Sequence, residues 1–367
     1  MELILYFCVF TYYMIKKISF FSLLAVLIGF NSCETEFSLN GDYELTPVVF
    51  GLLDQNDTIH MIKITKAFLG DENNLVYAKN PDSNYFKQVD AKIIELKPSG
   101  VKTGREWALI DSIVENKSTD GVFYAPDQKV YYFSEANLDE SMIYRIEADL
   151  NEGAEKFSAE TNLMNGFDVP HSVESPTLKI RFAKNTVNES KDYVIWSFDL
   201  SPGFNAGKFE VSYTFNWTEH YLDGTTASFS KKKYEHEESD FPDNNFGTPV
   251  KINGLEFYKW VENTIPDDPN VDYRTSDGID LHLSVAHKTL KQYLEVSKPV
   301  TGIAQIQPVF TNVTGGYGLF SSRYLYHLKG IPLSETTIKE LAQGQYTISK
   351  SFCSSYALHN EESFFCP

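Results

Sequence analysis

Few residues in this chain have the types and spacing that catalysis needs. The run His236–Asp240 begins like the His-Glu-x-x-His motif that holds zinc, but it has no second histidine four positions later. The chain also lacks the Gly-x-Ser-x-Gly motif of a nucleophilic serine and a Walker phosphate loop. We expect the glycines of Gly315–Gly318 to form a tight turn or bulge. The sequence therefore predicts no catalytic residue and no cofactor, and it favours a protein that is not an enzyme.

Five aspartates lie close together between positions 267 and 280: Asp267, Asp268, Asp272, Asp277 and Asp280. Carboxylate oxygens are the ligands that Ca²⁺ prefers, so a surface calcium site is one interpretation of this cluster. Their spacing is not that of an EF-hand loop, however, and a solvated acidic loop explains them as well. The prediction is therefore a loop without a bound metal.

Aromatic side chains offer a different kind of chemistry, which is stacking on sugar rings. Trp217, Tyr221 and Trp260 are the candidates for such a ligand platform. The alternating pattern of strand 208–221 places Trp217 on the same face as Tyr213 and Phe215, and a stripe of this kind is typical of a sandwich core. Both interpretations stay open from the sequence, and the core interpretation is favoured.

The same strand predicts a hairpin with a definite register. A three-residue loop, Leu222–Gly224, places Phe229 opposite Trp217 and keeps the apolar residues on one face. Gly224 then occupies the left-handed position of the loop.

Cys353 and Cys366 are expected to form a disulfide bond. The bond would close a loop of about 14 residues and stabilise the C-terminal segment by about 3 kcal/mol. An oxidising cell envelope would allow the bond to form.

The N-terminus is predicted to direct export and lipid attachment. Lys16 and Lys17 precede the apolar run Ile18–Phe30, whose length is typical of a signal peptide and short for a membrane span. Cys33 follows directly and is the predicted lipidation site, so residues 1–32 are assigned as signal segment. Translation is expected to start at Met14. The alternative is one uncleaved anchor over residues 3–30, which would place both lysines inside the membrane.

Charge limits the kinds of partner. The 367 residues carry a formal net charge of −18, which disfavours nucleic-acid binding because the protein would repel phosphate. The acidic residues Glu34 and Glu36 directly follow Cys33. This arrangement resembles the export signal of surface lipoproteins in the Bacteroidota, so we expect an outer-membrane protein with its lipid as anchor, and exposure at the cell surface is one of the alternatives.

The remaining sequence predicts a mainly β protein built from two β-sandwich-like domains. Residues 33–45 are assigned as a tether, 46–165 as an immunoglobulin-like sandwich and 166–367 as a second β-rich domain. Short helices are expected at about 287–297 and at 334–342, the second with Ser334 as N-cap. A long loop is expected at 68–87. Strands are predicted at 46–53, 58–67, 88–97, 106–114, 129–134, 142–150, 156–163, 177–183, 192–200, 208–221, 225–235, 249–261 and 279–286.

Several segments resemble a family of Bacteroidota lipoproteins known only as a domain of unknown function. The resemblance lies in the lipoprotein start and in five segments: Pro47–Leu53, Tyr144–Ala148, Phe157–Thr161, His287–Leu294 and Pro308–Phe320. Members of this family are often encoded near nutrient-uptake genes and have no established enzymatic activity. The resemblance therefore implies an accessory role beside an outer-membrane transporter and assigns no catalytic residues.

We expect from these observations a lipid-anchored envelope protein with a non-enzymatic binding or accessory role. Its expected partners are the membrane, through Cys33, and an outer-membrane transporter or another envelope protein. The alternatives are a surface glycan-binding protein, which needs exposed aromatic rings, and a glycan-active hydrolase, which needs two carboxylates about 5–9.5 Å apart.

Overall fold

The fold is described from a computed structural model that covers residues 45–68, 74–120, 124, 127–135, 137–150, 156–164, 167–184, 193–241, 247–298, 309–356 and 364–367. The predicted signal segment, Cys33 and residues 33–44 of the predicted tether lie outside these residues. The strands are β1 Pro47–Asp54, β2 Ile59–Lys66, β3 Val89–Leu96, β4 Lys102–Ala108, β5 Ile110–Val114, β6 Gln128–Ser134, β7 Ile143–Leu150, β8 Phe157–Asn162, β9 Ile195–Leu200, β10 Ala206–Tyr221, β11 Thr226–Asp240, β12 Thr248–Asn253, β13 Val271–His287, β14 Val313–Thr314 and β15 Tyr317–Ile331. The α-helices are α1 Asn74–Ala78, α2 Pro81–Asn84, α3 Gly254–Thr264, α4 Lys288–Val296 and α5 Glu335–Gln343.

The protein is mainly β, as predicted, and its central feature is a sheet of eight strands. The strand order is β11-β10-β13-β15-β1-β2-β6-β5, so strands from both ends of the chain meet in one sheet. The joint is a parallel pairing of β1 with β15, in which Val49 lies opposite Gly318 and Asp54 opposite Arg323. All other pairings in this sheet are antiparallel.

Gly318 makes the β1–β15 joint possible. Its φ is +110°, and a Cβ at this position would lie 2.0 Å from the carbonyl oxygen of Val49. A residue with a side chain would therefore meet both a rare backbone conformation and a backbone clash.

The first hydrophobic core lies between the β1-β2-β6 part of the large sheet and a second sheet of order β14-β8-β7-β3-β4. Because side chains alternate along a strand, one face of each sheet supplies the core. The sequence pattern of β7 shows this directly, since Tyr144, Ile146, Ala148 and Leu150 are buried. Two sheets packed in this way form a β-sandwich-like arrangement; the immunoglobulin-like topology stays a prediction.

The second core lies on the β10-β13 part of the same large sheet. Phe209, Val211, Tyr213, Phe215 and Trp217 of β10 are buried there. They pack with helix α3, with helix α5 and with a two-stranded sheet formed by β9 and β12. Leu163 belongs to the first core and Met164 to the second, although one sheet runs through both. The division into domains at residues 165 and 166 stays a prediction.

The predicted hairpin register is confirmed. Trp217 lies opposite Phe229, and Gly224 has a φ of +84° in the loop. Both predicted helices are also present, as α4 and α5. Ser334 caps α5 by accepting a hydrogen bond from the backbone N–H of Thr337 at 3.3 Å.

Other local predictions are wrong. The predicted strand 249–261 ends at Asn253, whose side chain accepts hydrogen bonds from Leu255 and Glu256 and thereby starts helix α3. Segment 177–183 forms isolated bridges through Ile180 and Ala183 rather than a strand. The predicted strand 106–114 is divided between two sheets as β4 and β5, and the loop predicted at 68–87 contains helices α1 and α2.

Cys353 and Cys366, the pair proposed from the sequence, form a disulfide bond with a Cα–Cα distance of 4.8 Å. The segment before it is held against β13, because the backbone N–H of Arg274 donates to Ser351 and the N–H of Cys353 donates to Arg274. Among the described residues, no helix combines the length and apolar character needed to cross a membrane.

We predict that Gly318→Ala destabilises the protein by about 3 kcal/mol or more, because the new methyl group would push β1 away from β15. Gly330→Ala is the matched control. Gly330 also has a positive φ, +67°, but a Cβ there would meet no atom within 4 Å. Urea unfolding should show a loss of about 1–2 kcal/mol for the control. Equal losses in the two variants would contradict the proposed role of the close approach.

Candidate functional site

The residues predicted as a ligand platform do not share an exposed face. Trp217 is 6% exposed and stacks between Phe215 and Phe229, so its assignment to a platform is wrong. Trp260 is half-buried, with its ring edge-to-face against Tyr213 at 5.9 Å between ring centroids. Tyr221 is half-buried, and its hydroxyl donates to Glu219. The core interpretation of Trp217 is the one that its burial supports.

Hydrogen bonds to Glu219 hold Trp217 and Tyr221 in these positions. Glu219 is buried on the apolar face of β10, where its Oε1 accepts hydrogen bonds from Arg274 Nε at 2.8 Å and from Trp217 Nε1 at 3.3 Å. Burial opposes ionisation, but the bonds from Arg274 and Tyr221 outweigh it and lower the pKa of Glu219. Arg274 also donates to the carbonyls of Lys350 and Pro266. These residues form a satisfied structural network rather than a ligand site.

Two aspartates of the acidic cluster, Asp267 and Asp280, also make structural contacts. Three of its five aspartates lie on β13, so most of the predicted loop is strand. Asp267 accepts from Lys350 Nζ at 2.8 Å, and Asp280 accepts from the N–H of Gly330 at 2.7 Å. Within the part of the chain that the structure describes, no three His, Cys, Asp or Glu side chains are grouped so that they could hold a metal ion.

The candidate site lies instead on the outer face of the large sheet, opposite the first core. On β1 and β2 the inward residues are buried, while Phe50, Ile59 and Met61 point outward and are 39%, 49% and 55% exposed. Exposed apolar side chains grouped in this way are a common sign of an interaction site.

Helix α4 forms the wall beside these residues. Its apolar residues Leu290, Tyr293 and Leu294 recur at helical spacing, yet α4 has no buried residue. Together with Phe50, Ile59 and Met61 they line a cavity of about 630 Å³, which we call the outer groove. This volume is in the range of ligand-binding clefts, about 300–1,000 Å³.

Three contacts fix α4 in place. Tyr293 meets Phe50 edge-to-face at 5.8 Å between ring centroids, a contact worth about 0.5–1.5 kcal/mol. Gly207 on β10 allows the helix to approach closely, because a Cβ there would lie 3.0 Å from the Cα of Lys288. His287 caps the helix N-terminus, since its Nδ1 accepts from the backbone N–H of Thr289 at 3.0 Å.

One end of the outer groove is charged. Arg323 lines it together with Asp57, and the Nε of Arg323 is buried without a hydrogen-bond partner. Asp54 lies behind them, fully buried, and accepts from the N–H groups of Asn56 and Leu325. Burial raises the pKa of Asp54 to about 6.

A smaller depression of about 270 Å³ continues on the other side of Phe50. Lys63 and Lys66 line it with the aromatic residues Phe68, Tyr85 and Tyr124. Burial, and then the charge of Lys117, lower the pKa of Lys63. No ion pair involves Lys63 among the described residues. The outer face therefore combines an apolar groove with a cationic extension, in a protein that is acidic overall.

This arrangement offers an apolar surface for binding. Among the described residues that line the outer groove, Asp57 is the single carboxylate, whereas glycoside hydrolysis needs a pair. The groove could not be predicted from the sequence because its lining includes Leu319 and Arg323 of β15 beside β1, and β15 was not predicted as a strand. The sequence features that could have indicated the groove are the spacing of the apolar residues in α4 and the apolar residues on the outward face of β2.

Comparison with known proteins adds no assignment: the chain matches no protein-family model and no curated protein.

We predict that His287 makes the stability of the protein fall in acid. Burial, and then the charge of Lys288, lower the pKa of His287 to about 4, whereas an unfolded histidine titrates near 6.5. Between these values the unfolded chain binds a proton that the folded protein does not, so stability falls as the pH falls. The loss should reach about 3 kcal/mol at pH 4.

His287→Asn is the test, because asparagine is a good helix cap that does not titrate. Asp54 acts in the opposite direction, since its raised pKa favours the folded state as the pH falls through 6. It is present in both proteins and cancels in the difference. Urea titrations from pH 7 to about 4 should show the free energy of unfolding of wild type falling relative to that of the variant, by about 3 kcal/mol over the whole range. Parallel pH profiles would show that His287 does not control this loss.

Proposed function

We propose that this protein is a lipid-anchored envelope protein that uses the outer groove to dock a partner protein of the same envelope. The observation that carries the proposal is the amphipathic helix α4, whose apolar side is left half-exposed beside the outward residues of β1 and β2. The envelope location in this proposal rests on the predicted signal segment and on Cys33 as the predicted lipidation site. The resemblance to Bacteroidota lipoproteins suggests an outer-membrane transporter as the partner.

The chemistry of the site specifies the partner segment. Apolar side chains are needed to cover Phe50, Met61 and Tyr293, and this burial is the main favourable term in such an interface. Lys63 lies beyond Phe50, so an acidic residue that follows the apolar ones would find complementary charge. We therefore propose an apolar segment with an adjacent carboxylate.

The glycan-binding alternative has less support. It requires exposed aromatic faces, and Trp217 is buried. Phe50 and Tyr293 are exposed or half-buried, but their planes cross at 74° and do not offer one flat surface.

The anchor is tested by Cys33→Ala. We expect the variant to appear in the soluble fraction of cells while wild type stays with the membranes, because the proposed membrane anchor is the lipid on Cys33. Cys8→Ala is the control and should fractionate like wild type, since translation is expected to start after Cys8. Membrane retention of the Cys33→Ala variant would support the uncleaved anchor instead.

The groove is tested by Met61→Glu. Met61 is exposed, so the variant should fold, but a carboxylate would have to be buried when the partner docks. Tagged, lipidated protein purified from its own membranes should carry a stoichiometric envelope protein in wild type, and the variant should lose it by about tenfold or more.

The control variant is Ser230→Glu, which adds the same charge at an exposed position of β11 in the same sheet. It should keep the partner. The proposal fails if Met61→Glu and wild type retain the partner equally, or if wild type carries none. The anchor proposal is tested separately by fractionating Cys33→Ala combined with Met61→Glu, in which a docked membrane partner cannot retain the protein.

A further inference from the structure

Two histidines meet on the polar part of the outer face, away from the outer groove. His282 of β13 lies directly opposite His327 of β15. Their Nδ1 atoms are 2.8 Å apart and their ring centroids 5.1 Å apart. His282 is half-buried and His327 is exposed, so one ring is held by the sheet and the other can turn.

Thr214 of the next strand, β10, orients His282. Its Oγ1 lies 2.9 Å from His282 Nε2. When Nε2 carries the proton and donates it to Thr214, the lone pair of Nδ1 points towards His327. A hydrogen bond of this kind on the far nitrogen is the usual way in which proteins position a metal-binding histidine.

From this geometry we infer that His282 and His327 bind Cu(II) through their two Nδ1 atoms. Imidazole nitrogen is a good ligand for Cu(II), which prefers square-planar coordination and heads the affinity order of divalent metals.

Binding requires a small rearrangement that the structure allows. With His282 protonated at Nε2, the Nδ1–H of His327 donates to the lone pair of His282 Nδ1. His327 is exposed, so its ring can turn away until a metal fits between the two nitrogens. In the neutral pair its proton moves from Nδ1 to Nε2 by exchange with water, so no net proton is released. Water completes the coordination, because the described residues place no third protein ligand beside the pair.

The surrounding charges set the affinity. Lys232 and Lys329 face the pair and oppose a cation, while Asp280, two residues before His282 on β13, favours one. A site with two protein ligands and two nearby lysines should therefore exchange its metal, which suits capture of Cu(II) rather than a permanent structural role.

The test is Cu(II) binding by the untagged full chain near neutral pH, followed by electron paramagnetic resonance and by titration calorimetry. Cys8→Ser and Cys33→Ser are introduced in all samples so that free thiols neither bind nor reduce the metal. We expect one Cu(II) with two nitrogen ligands. His282→Gln and His327→Gln should each weaken binding by more than tenfold, and Thr214→Val by about tenfold.

His220→Gln is the control, because His220 is a histidine of the same sheet with its own partners, Thr275 and Tyr273. It should leave Cu(II) binding unchanged. Zn(II) added at equal concentration should not displace Cu(II). The inference is overturned if His282→Gln and His327→Gln bind Cu(II) as wild type does, if His220→Gln weakens binding equally, or if Zn(II) displaces the copper.

Discussion

The parallel pairing of β1 with β15 is the constraint on which both candidate sites depend. It joins a strand near residue 50 to a strand near residue 320, and it turns two groups of antiparallel strands into one sheet of eight. The floor of the outer groove belongs to β1 and β2, while its wall, helix α4, packs against β10, β13 and β15. Without this pairing, the floor and the wall would belong to different sheets. Gly318 is the residue that lets the two backbones approach, so a single glycine supports the architecture of the outer face.

The large sheet is used differently on its two faces. Its inner face supplies both hydrophobic cores and tolerates a polar group only where that group is fully satisfied. Glu219 illustrates the rule, because it is buried and accepts hydrogen bonds from Arg274, Trp217 and Tyr221. Among the described residues, α4 packs against part of the outer face. Groups with shifted pKa values lie beside the groove at two places, with Asp54 behind its charged end and His287 at the start of its wall. Their opposite pKa shifts partly cancel in the pH dependence of the whole protein, so variants of single residues are needed to separate them.

Local patterns in the sequence predicted local structure well and long-range structure poorly. The alternation of β10 and the composition of its turn were sufficient for the register of Trp217 against Phe229, because a hairpin joins neighbours in the chain. The spacing of apolar residues likewise predicted α4 and α5, and Ser334 was predicted as the N-cap of α5.

The strand β15 was missed because its first residues are rich in glycine and resemble a turn, and because its partner β1 lies about 270 residues away. Helix α3 was missed because the apolar residues Phe257, Tyr258 and Val261 also fit a strand. Glu219 breaks the apolar pattern of β10, and its burial is explained only by long-range contacts such as that with Arg274. The outer groove and the His282–His327 pair both require β15, so neither could be predicted.

The edges of the large sheet help to explain why its face, rather than its rim, is the surface to which a partner would bind. An exposed edge strand offers unpaired backbone groups that can recruit another chain, and proteins commonly protect such edges with lysines or keep them short. The edge strand β11 carries Lys231, Lys232 and Lys233 in succession, and the opposite edge, β5, has only five residues. Both edges are therefore poor templates for an added strand. The net charge of −18 opposes self-association through repulsion between copies. The apolar residues of the groove are gathered in one place beside the cationic extension. A partner with apolar and acidic side chains would be attracted to this place, whereas a second copy of this acidic chain would be repelled.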